Sequence, residues 1–350
     1  MKQLITYSLF ILILLNSCEE VYLPDIDEVA NVIVVDARIE VGSDNNMVVL
    51  TETQSFNSSF YKYPEVRGGK VTLIDDTGST FELPQLETGK FHVNVDIKEE
   101  RQYKVQVEYK DNMFESEYEK VPGIPRLDTV YGIATTKIFA PGGAGSSADF
   151  RTVEGVQLYA DMKATEETPN YRFTADKVAE YTWEEGGGDS FMSPIIHFYW
   201  EKSVVSENFN VAAPPQYSTS NSIKKHPLFF VGRSIQLEPD SAFTGWILVL
   251  YQHGISNSSY NFYNDLNAQL NADGRIFDPV YVQARNNFKC VNNDNEAILG
   301  NFEISRKTET RYFVRFISDK SGYRVEELND RSPIPWNGET IDTPPDFWAN

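Results

Sequence analysis

The stretch QYKVQVEYKDNMFESEY, residues 102–118, decides the fold. Tyr103, Val105, Val107 and Tyr109 alternate with Lys104, Gln106 and Glu108, the two-residue period of a strand with one buried face. Asp111-Asn112 turns the chain, since short polar side chains can hydrogen-bond the nearby backbone, and Met113–Tyr118 runs back. The same pattern extends toward the N-terminus. Gly89–Val95 (GKFHVNV) places Phe91, Val93 and Val95 on one face. Lys70–Asp75 (KVTLID) ends at the turn Asp75-Asp76-Thr77-Gly78, and Ser79–Leu83 returns. Met47–Thr53 and Val32–Val35 are rich in β-branched residues, which fit a pleated surface. That is about seven short strands in roughly 90 residues, each with one apolar face. Two sheets must pack face to face to bury those faces. The expectation is an immunoglobulin-like or transthyretin-like β-sandwich over residues 31–121, folding as a unit of its own.

Val121-Pro122-Gly123-Ile124-Pro125 reads as a stiff extended crossing out of that unit. Residues 126–350 then form a second, larger β-rich domain. Strands are expected at Val153–Met162, Tyr171–Trp183, Ile195–Trp200, Leu228–Leu237, Gly245–His253, Ile298–Ile304 and Tyr312–Ile317. Gly245–Tyr251 (GWILVLY) is nearly all apolar, as a strand buried on both faces must be. Residues 141–147 and 184–190 are Gly-rich loops. One segment changes period. Ile255, Phe262, Leu266 and Leu270 recur at helical spacing, Ser256 can cap the start, and Asp273-Gly274 can end it. This predicts one amphipathic helix at about 257–271, laid on the sheet of the second domain. The proline-rich tail, 331–350, is expected to be extended and to pack through Trp336, Phe347 and Trp348.

The chain carries 51 acidic and 31 basic residues, a net charge of −20. Binding phosphates needs clustered Lys and Arg, so nucleic acid is excluded as a partner, and an anionic lipid surface repels such a chain. Hydrophobic residues make up 41 % and aromatic residues 13 %, enough for a packed core.

The N-terminus points to a location. Lys2 precedes the apolar run Leu4–Leu15, which has the length of a secretory core and is too short to span a bilayer. Leu15-Asn16-Ser17-Cys18 resembles a bacterial lipobox, in which a signal peptidase cuts before the cysteine and the thiol carries lipid. The resemblance implies a signal peptide at 1–17, a palmitate-type anchor on Cys18 and an acidic tether at 18–30. Glu19 and Glu20 resemble the surface-export signal of Bacteroidota lipoproteins.

The C-terminal half carries a second resemblance. Tyr260–Leu270, Phe277-Asp278-Pro279, Asn286-Asn287, and Glu296 before Leu299-Gly300-Asn301-Phe302 follow in the order seen in a Bacteroidota outer-membrane lipoprotein family known only as a domain of unknown function. The N-terminal lipobox, the Val-rich first strand, and the Gly-x-Phe and Tyr-x-Val-x-Val strands fit it too. Asn286-Asn287 departs from a family tendency toward Gly-Asn. The resemblance implies the cell envelope and the company of TonB-dependent transporters, and it supplies no catalytic residues.

Signals for chemistry are sparse. There is no G-x-S-x-G, and His92, His197, His226 and His253 stand apart in sequence, each reading as a strand or loop residue rather than a base. No His or Cys pair has zinc spacing. Cys290, left alone if Cys18 is lipidated, reads as a small buried hydrophobe. Asn292, Asp294 and Glu296 form the one calcium candidate, because hard cations prefer oxygen; a polar turn explains the same residues. Trp183, Trp200, Tyr251, Tyr260 and Tyr263 can line a sugar or peptide groove, or simply pack. Tyr260, Tyr263, Asp294 and Glu296 are the candidates for docking an envelope partner, since amphipathic aromatics suit interfaces. The reading is a non-enzymatic binding or accessory protein on the outer membrane. The alternatives are a surface hydrolase or glycan-processing enzyme whose residues meet only in three dimensions, and a structural envelope component.

Overall fold

Nine strands occupy the first region of the computed structural model, which describes residues 31–54, 63–139, 151–185, 195–205, 209–216, 220–232, 241–270, 283–317, 322–330, 332 and 340–348. They are β1 (Ile33–Glu40), β2 (Met47–Glu52), β3 (Lys70–Asp75), β4 (Thr80–Glu82), β5 (Gln85–Glu87), β6 (Lys90–His92), β7 (Gln102–Tyr109), β8 (Asn112–Ser116) and β9 (Glu119–Lys120). The hairpin expected at 102–118 is there, β7 and β8 pairing from Gln106↔Glu115 to Tyr109↔Asn112. Val105 and Val107 are fully buried, as their alternation requires.

The second region adds β10 (Leu127–Phe139), β11 (Arg151–Lys163), β12 (Asn170–Glu185), β13 (Ile195–Val204), β14 (Asn210–Ala212), β15 (Ser222–Gly232) and β16 (Ser241–Ile255). The helix α1 (Asn257–Leu270) follows, then β17 (Phe288–Cys290), β18 (Ile298–Ile317), β19 (Gly322–Leu328) and β20 (Thr340–Ile341). The chain is mainly β. No described helix is long and apolar enough to cross a membrane.

The long strand β18 joins the two regions. Its first half pairs with β1 in parallel, from Ile33↔Ile298 to Glu40↔Ser305. Its second half pairs antiparallel with β16, from Gly254↔Arg306 to Gly245↔Arg315. One sheet thereby runs β20-β13-β12-β16-β18-β1-β2-β6-β5. Two smaller sheets pack on one of its faces. The sheet β17-β8-β7-β3-β4 closes a sandwich over β1 and β2, with Val35, Ile39, Val48, Leu50, Val71, Leu73 and Val105 at its centre. The sheet β10-β11-β15 closes a second core with Leu158, Met162, Tyr171, Trp246, Leu248 and Val314. On the opposite face, Ile247, Val249, Trp200, Phe313 and Phe347 form a third cluster. β16 is thus buried on both faces, as its unbroken apolar run predicts.

The boundary at 121–125 needs correction. Phe288, Cys290, Ile298, Phe302 and Ile304 belong to the first core, and β17 pairs with β8. The sandwich expected from residues 31–121 is therefore completed by residues some way past 280. Gly300 shows how tightly the closing strand fits. Its φ is +124°, and a Cβ there would lie 1.9 Å from the Val35 carbonyl oxygen, so the Leu-Gly-x-Phe motif needs glycine at this point. Asn287 secures the other edge of β18. Its side-chain amide accepts from Phe302 N–H and donates to Phe302 O, both at 2.8 Å, as a paired strand would.

The helix differs from its expectation in the face it buries. Ser256 Oγ accepts the Ser259 N–H at 3.2 Å, the anticipated cap. The buried residues, however, are Ser259 and Tyr263, while Leu270 is 60 % exposed. The physical reason is what lies beneath: α1 covers a polar part of the large sheet, so its docking face is polar rather than an aliphatic stripe. In the tail, Phe347 is buried and the Trp348 ring meets Phe313 and Trp200 edge-on, as expected; Trp336 lies outside the described residues.

Candidate functional site

Strand alternation that sends Ile33, Val35, Ala37 and Ile39 into the core must send Asp36, Arg38 and Glu40 to the other face of the large sheet. The same rule applies along β18, where Phe302 and Ile304 point inward and Asn301, Glu303, Ser305 and Lys307 point away. The pairings Arg38↔Glu303, Glu40↔Ser305, His253↔Lys307 and Arg172↔His253 align these residues across four neighbouring strands. Polar and charged groups from four distant parts of the chain thus gather where the two regions meet. They line a cleft of about 330 Å³ that includes Asp36, Arg38, Glu40, Arg172, Thr174 and His253.

Each charge has a local partner. Arg38 grips Asp36 with two hydrogen bonds of 2.8 Å. Lys307 Nζ lies 2.7 Å from Glu40 Oε1. Deeper, Arg172 Nη2 donates to Glu303 Oε1 at 2.7 Å, and the Glu303 side chain has no exposure. Burial opposes the charge on Arg172, but the facing Glu303 carboxylate together with Tyr263 and Glu40 raises the guanidinium pKa. Tyr263 of α1 caps this pair, its ring centroid 5.4 Å from the guanidinium carbon. Removing one member of such a buried pair leaves a bare charge, at a cost of about 3–5 kcal/mol.

His253 occupies the centre. Its Nε2 is 3.2 Å from Thr174 Oγ1, and its Nδ1 is 3.8 Å from Glu40 Oε2. The ring is 5 % exposed. Burial, reinforced by the charges of Arg172, Lys307 and Arg38, pushes its pKa down to about 2. It is therefore neutral at any physiological pH. Arg172 Nε, His253 Nδ1, Asn301 Oδ1 and Glu303 Oε2 have no hydrogen-bond partner among the described residues. A buried polar atom without a partner is costly, so the cleft and the layer beneath it hold unspent hydrogen-bonding capacity.

Under the start of α1 sits a second buried carboxylate. Glu119 accepts from Ser258 Oγ and, at 3.2 Å, from Asn287 Nδ2. Burial raises its pKa, and Glu303 adds to the shift. Asn287 thus serves both the β18 edge and this carboxylate.

The residues singled out from sequence fall differently. Tyr263 is 5 % exposed and packed on Arg172 and Phe209, so it is no docking residue. Tyr260 is half-buried, Asp294 is exposed and Glu296 partly so. Of the calcium candidates, Asn292 is engaged within a turn: its Oδ1 accepts from Met113 N–H at 2.9 Å and from Cys290 Sγ at 3.2 Å, and its amide donates to Asp111 O. Among the described residues no three His, Cys, Asp or Glu gather as a metal would need. Cys290 is buried in the first core. His197 and His226 bond to Glu185 and Asn210, away from the cleft, while His92 bonds to Asp44 O and pairs with Met47 beside the cleft's rim. Cys18, Glu19, Glu20 and Phe277-Asp278-Pro279 lie outside the described residues. The cleft itself was missed in the sequence, although IVVDARIE and EISRKTE carry its signal, charges alternating with core residues.

These features define a mainly β protein whose two regions share one sheet and enclose a polar cleft at the junction. The chain belongs to the family described as Domain of unknown function (DUF4249), whose model matches residues 19–311. The match takes in β1 and the part of β18 that pairs with it. No curated protein and no solved structure matches the chain.

Proposed function

We propose that this is a lipid-anchored binding protein of the Bacteroidota outer membrane, held by acyl chains on Cys18 and displayed outward through Glu19 and Glu20. In this reading it takes a small polar ligand in the cleft at the junction and serves as an accessory to a TonB-dependent transporter. The sequence Leu15-Asn16-Ser17-Cys18 supports the anchor. The observation that carries binding rather than catalysis is the state of His253. A general base works best with a pKa near the operating pH. A ring held at about 2 by burial and three cations has almost no affinity for a proton.

The hydrolase reading has one observation in its favour. Thr174, His253 and Glu40 follow one another in the order of nucleophile, base and orienting acid, with Thr174 3.2 Å from the ring. The orienting contact is 3.8 Å rather than a hydrogen bond, and Glu40 is already paired with Lys307. A hydrolase of this design would lose turnover in Thr174→Ala.

The anchor has a direct test. Cys18→Ala should move the protein from the membrane fraction to the soluble fraction and abolish palmitate labelling. Changing Glu19 and Glu20 to alanine should leave it membrane-bound but shield it from protease added to intact cells. Palmitate labelling that persists in Cys18→Ala contradicts the anchor, and equal digestion of the wild type and the double alanine variant contradicts the signal.

A further inference from the structure

Two carboxylates, Asp36 and Glu40, and two guanidinium groups, Arg38 and Arg172, line the cleft at the junction, and neutral His253 leaves their charges balanced. Arg38 and Glu40 are open to solvent, with side chains 57 % and 24 % exposed. Neither has spent all its bonding atoms. Arg38 holds Asp36 through Nε and Nη2, so Nη1 takes no part in the pair. Glu40 gives Oε1 to Lys307, while its Oε2 is 3.8 Å from His253 Nδ1, too far for a hydrogen bond. The two residues share one face of β1, about 7 Å apart along the strand. Strand register sets Met47 beside Arg38 and Val49 beside Asp36. Both are half-buried and line the same cleft, a small apolar wall next to the charges. Ser43 and Asn45 supply further polar groups.

We infer that this cleft takes a small zwitterion with an apolar side chain, the chemistry of a free amino acid or a dipeptide. The inference rests on the reading of the cleft as a binding site and names the class of its ligand. The ligand's carboxylate meets the Arg38 guanidinium, its ammonium group meets the Glu40 carboxylate, and its side chain lies against Met47 and Val49. Hydrogen bonds that involve charged groups are roughly twice as strong as neutral ones. Competing ligands fit less well. A simple anion is repelled by Asp36 and Glu40, and a simple cation by Arg38 and Arg172, with no charge of its own to offset the repulsion. A neutral sugar gives up one charge in every contact and offers Met47 and Val49 mostly hydroxyls. The volume, about 330 Å³, lies at the lower end of the small-molecule range of about 300–1,000 Å³, as suits a ligand of this size.

The test titrates the full lipidated chain in detergent by calorimetry with L-leucine, the dipeptide Ala-Leu, leucinamide, 4-methylpentanoate and glucose. Leucinamide keeps only the positive charge of leucine, and 4-methylpentanoate only the negative one. The expected result is saturable binding of leucine or Ala-Leu, about tenfold or more tighter than of either single-charge analogue or of glucose. The tighter of the two zwitterions tells a free amino acid from a peptide. Arg38→Gln should weaken that zwitterion about tenfold yet tighten leucinamide, because the cleft then carries an excess negative charge. Glu40→Gln should weaken it likewise yet tighten 4-methylpentanoate. Such opposite responses cannot come from a variant that merely folds less well. Preference for glucose or for a single-charge analogue overturns the zwitterion, and where both variants abolish that binding the cleft still stands as a site for another polar ligand. Zwitterion binding indifferent to both variants lies elsewhere on the protein and overturns the assignment. Binding of none of the five probes overturns it together with the reading of the cleft.

Discussion

Gly300→Ala is expected to unfold the protein at room temperature or bring it close to unfolding. Two independent penalties act at this position. The backbone φ of +124° is one that side-chain-bearing residues rarely adopt, and the new methyl would sit 1.9 Å from the Val35 carbonyl oxygen. Relief requires β18 to move away from β1 where the two pair as Val35↔Gly300. That shift separates Ile298, Phe302 and Ile304 from the core they fill. Backbone strain alone costs about 1–3 kcal/mol, and a displaced strand adds buried area lost at roughly 25 cal/mol per Å². The sum, about 4 kcal/mol or more, is a large share of the 5–15 kcal/mol that typically holds a protein together. Thermal or urea denaturation of Gly300→Ala beside wild type measures it. Gly78→Ala is the internal control, since that glycine also has positive φ but nothing within 4 Å of its Cβ position. Loss of only the control-sized increment at Gly300 would mean that the parallel pairing is looser than described.

The second large effect concerns the first sandwich. Residues 31–121 expressed alone should show no cooperative melt by circular dichroism. Five core side chains come from later in the chain: Phe288, Cys290, Ile298, Phe302 and Ile304. Burying a large apolar side chain contributes about 1.5–3 kcal/mol, so the absence of the four large ones alone removes roughly 6–12 kcal/mol, about the whole stability of a small domain. It also leaves β1 with an open edge where β18 should lie. Linking residues 284–306 to the fragment through a Gly/Ser spacer should restore a cooperative transition. A cooperative melt of 31–121 without that segment would show that the sandwich closes without β17 and β18.

Local signals were legible and distant ones were not. The hairpin at 102–118, the doubly buried strand at Gly245–Tyr251 and the Ser256 cap each follow from neighbouring residues, and each is present. The parallel pairing of β1 with β18 joins segments at opposite ends of the chain, and alternation says which face a strand buries, never which strand it joins. Leu-Gly-x-Phe stood out as a motif, but the reason for its glycine needed the Val35 carbonyl overhead. The helix lies where its spacing puts it, but it buries a different face for a physical reason. The periodic apolar residues assume an apolar floor, and the floor under α1 holds Arg172, Asn301 and Glu303. The same pattern makes Tyr263 look like a docking residue, whereas its ring caps an ion pair. The cleft escaped for the same cause as the parallel strand: Asp36, Arg38, Arg172, His253 and Lys307 become neighbours only through strand register.

The proposed function rests on association at the membrane, and one measurement addresses it. The tagged, full-length protein is extracted from membranes in mild detergent and purified, and everything that elutes with it is identified by mass spectrometry. The account predicts that a TonB-dependent transporter elutes with the wild-type protein in near-equal amount and survives a salt wash. A protein that elutes alone from membranes in which such transporters are abundant would contradict it.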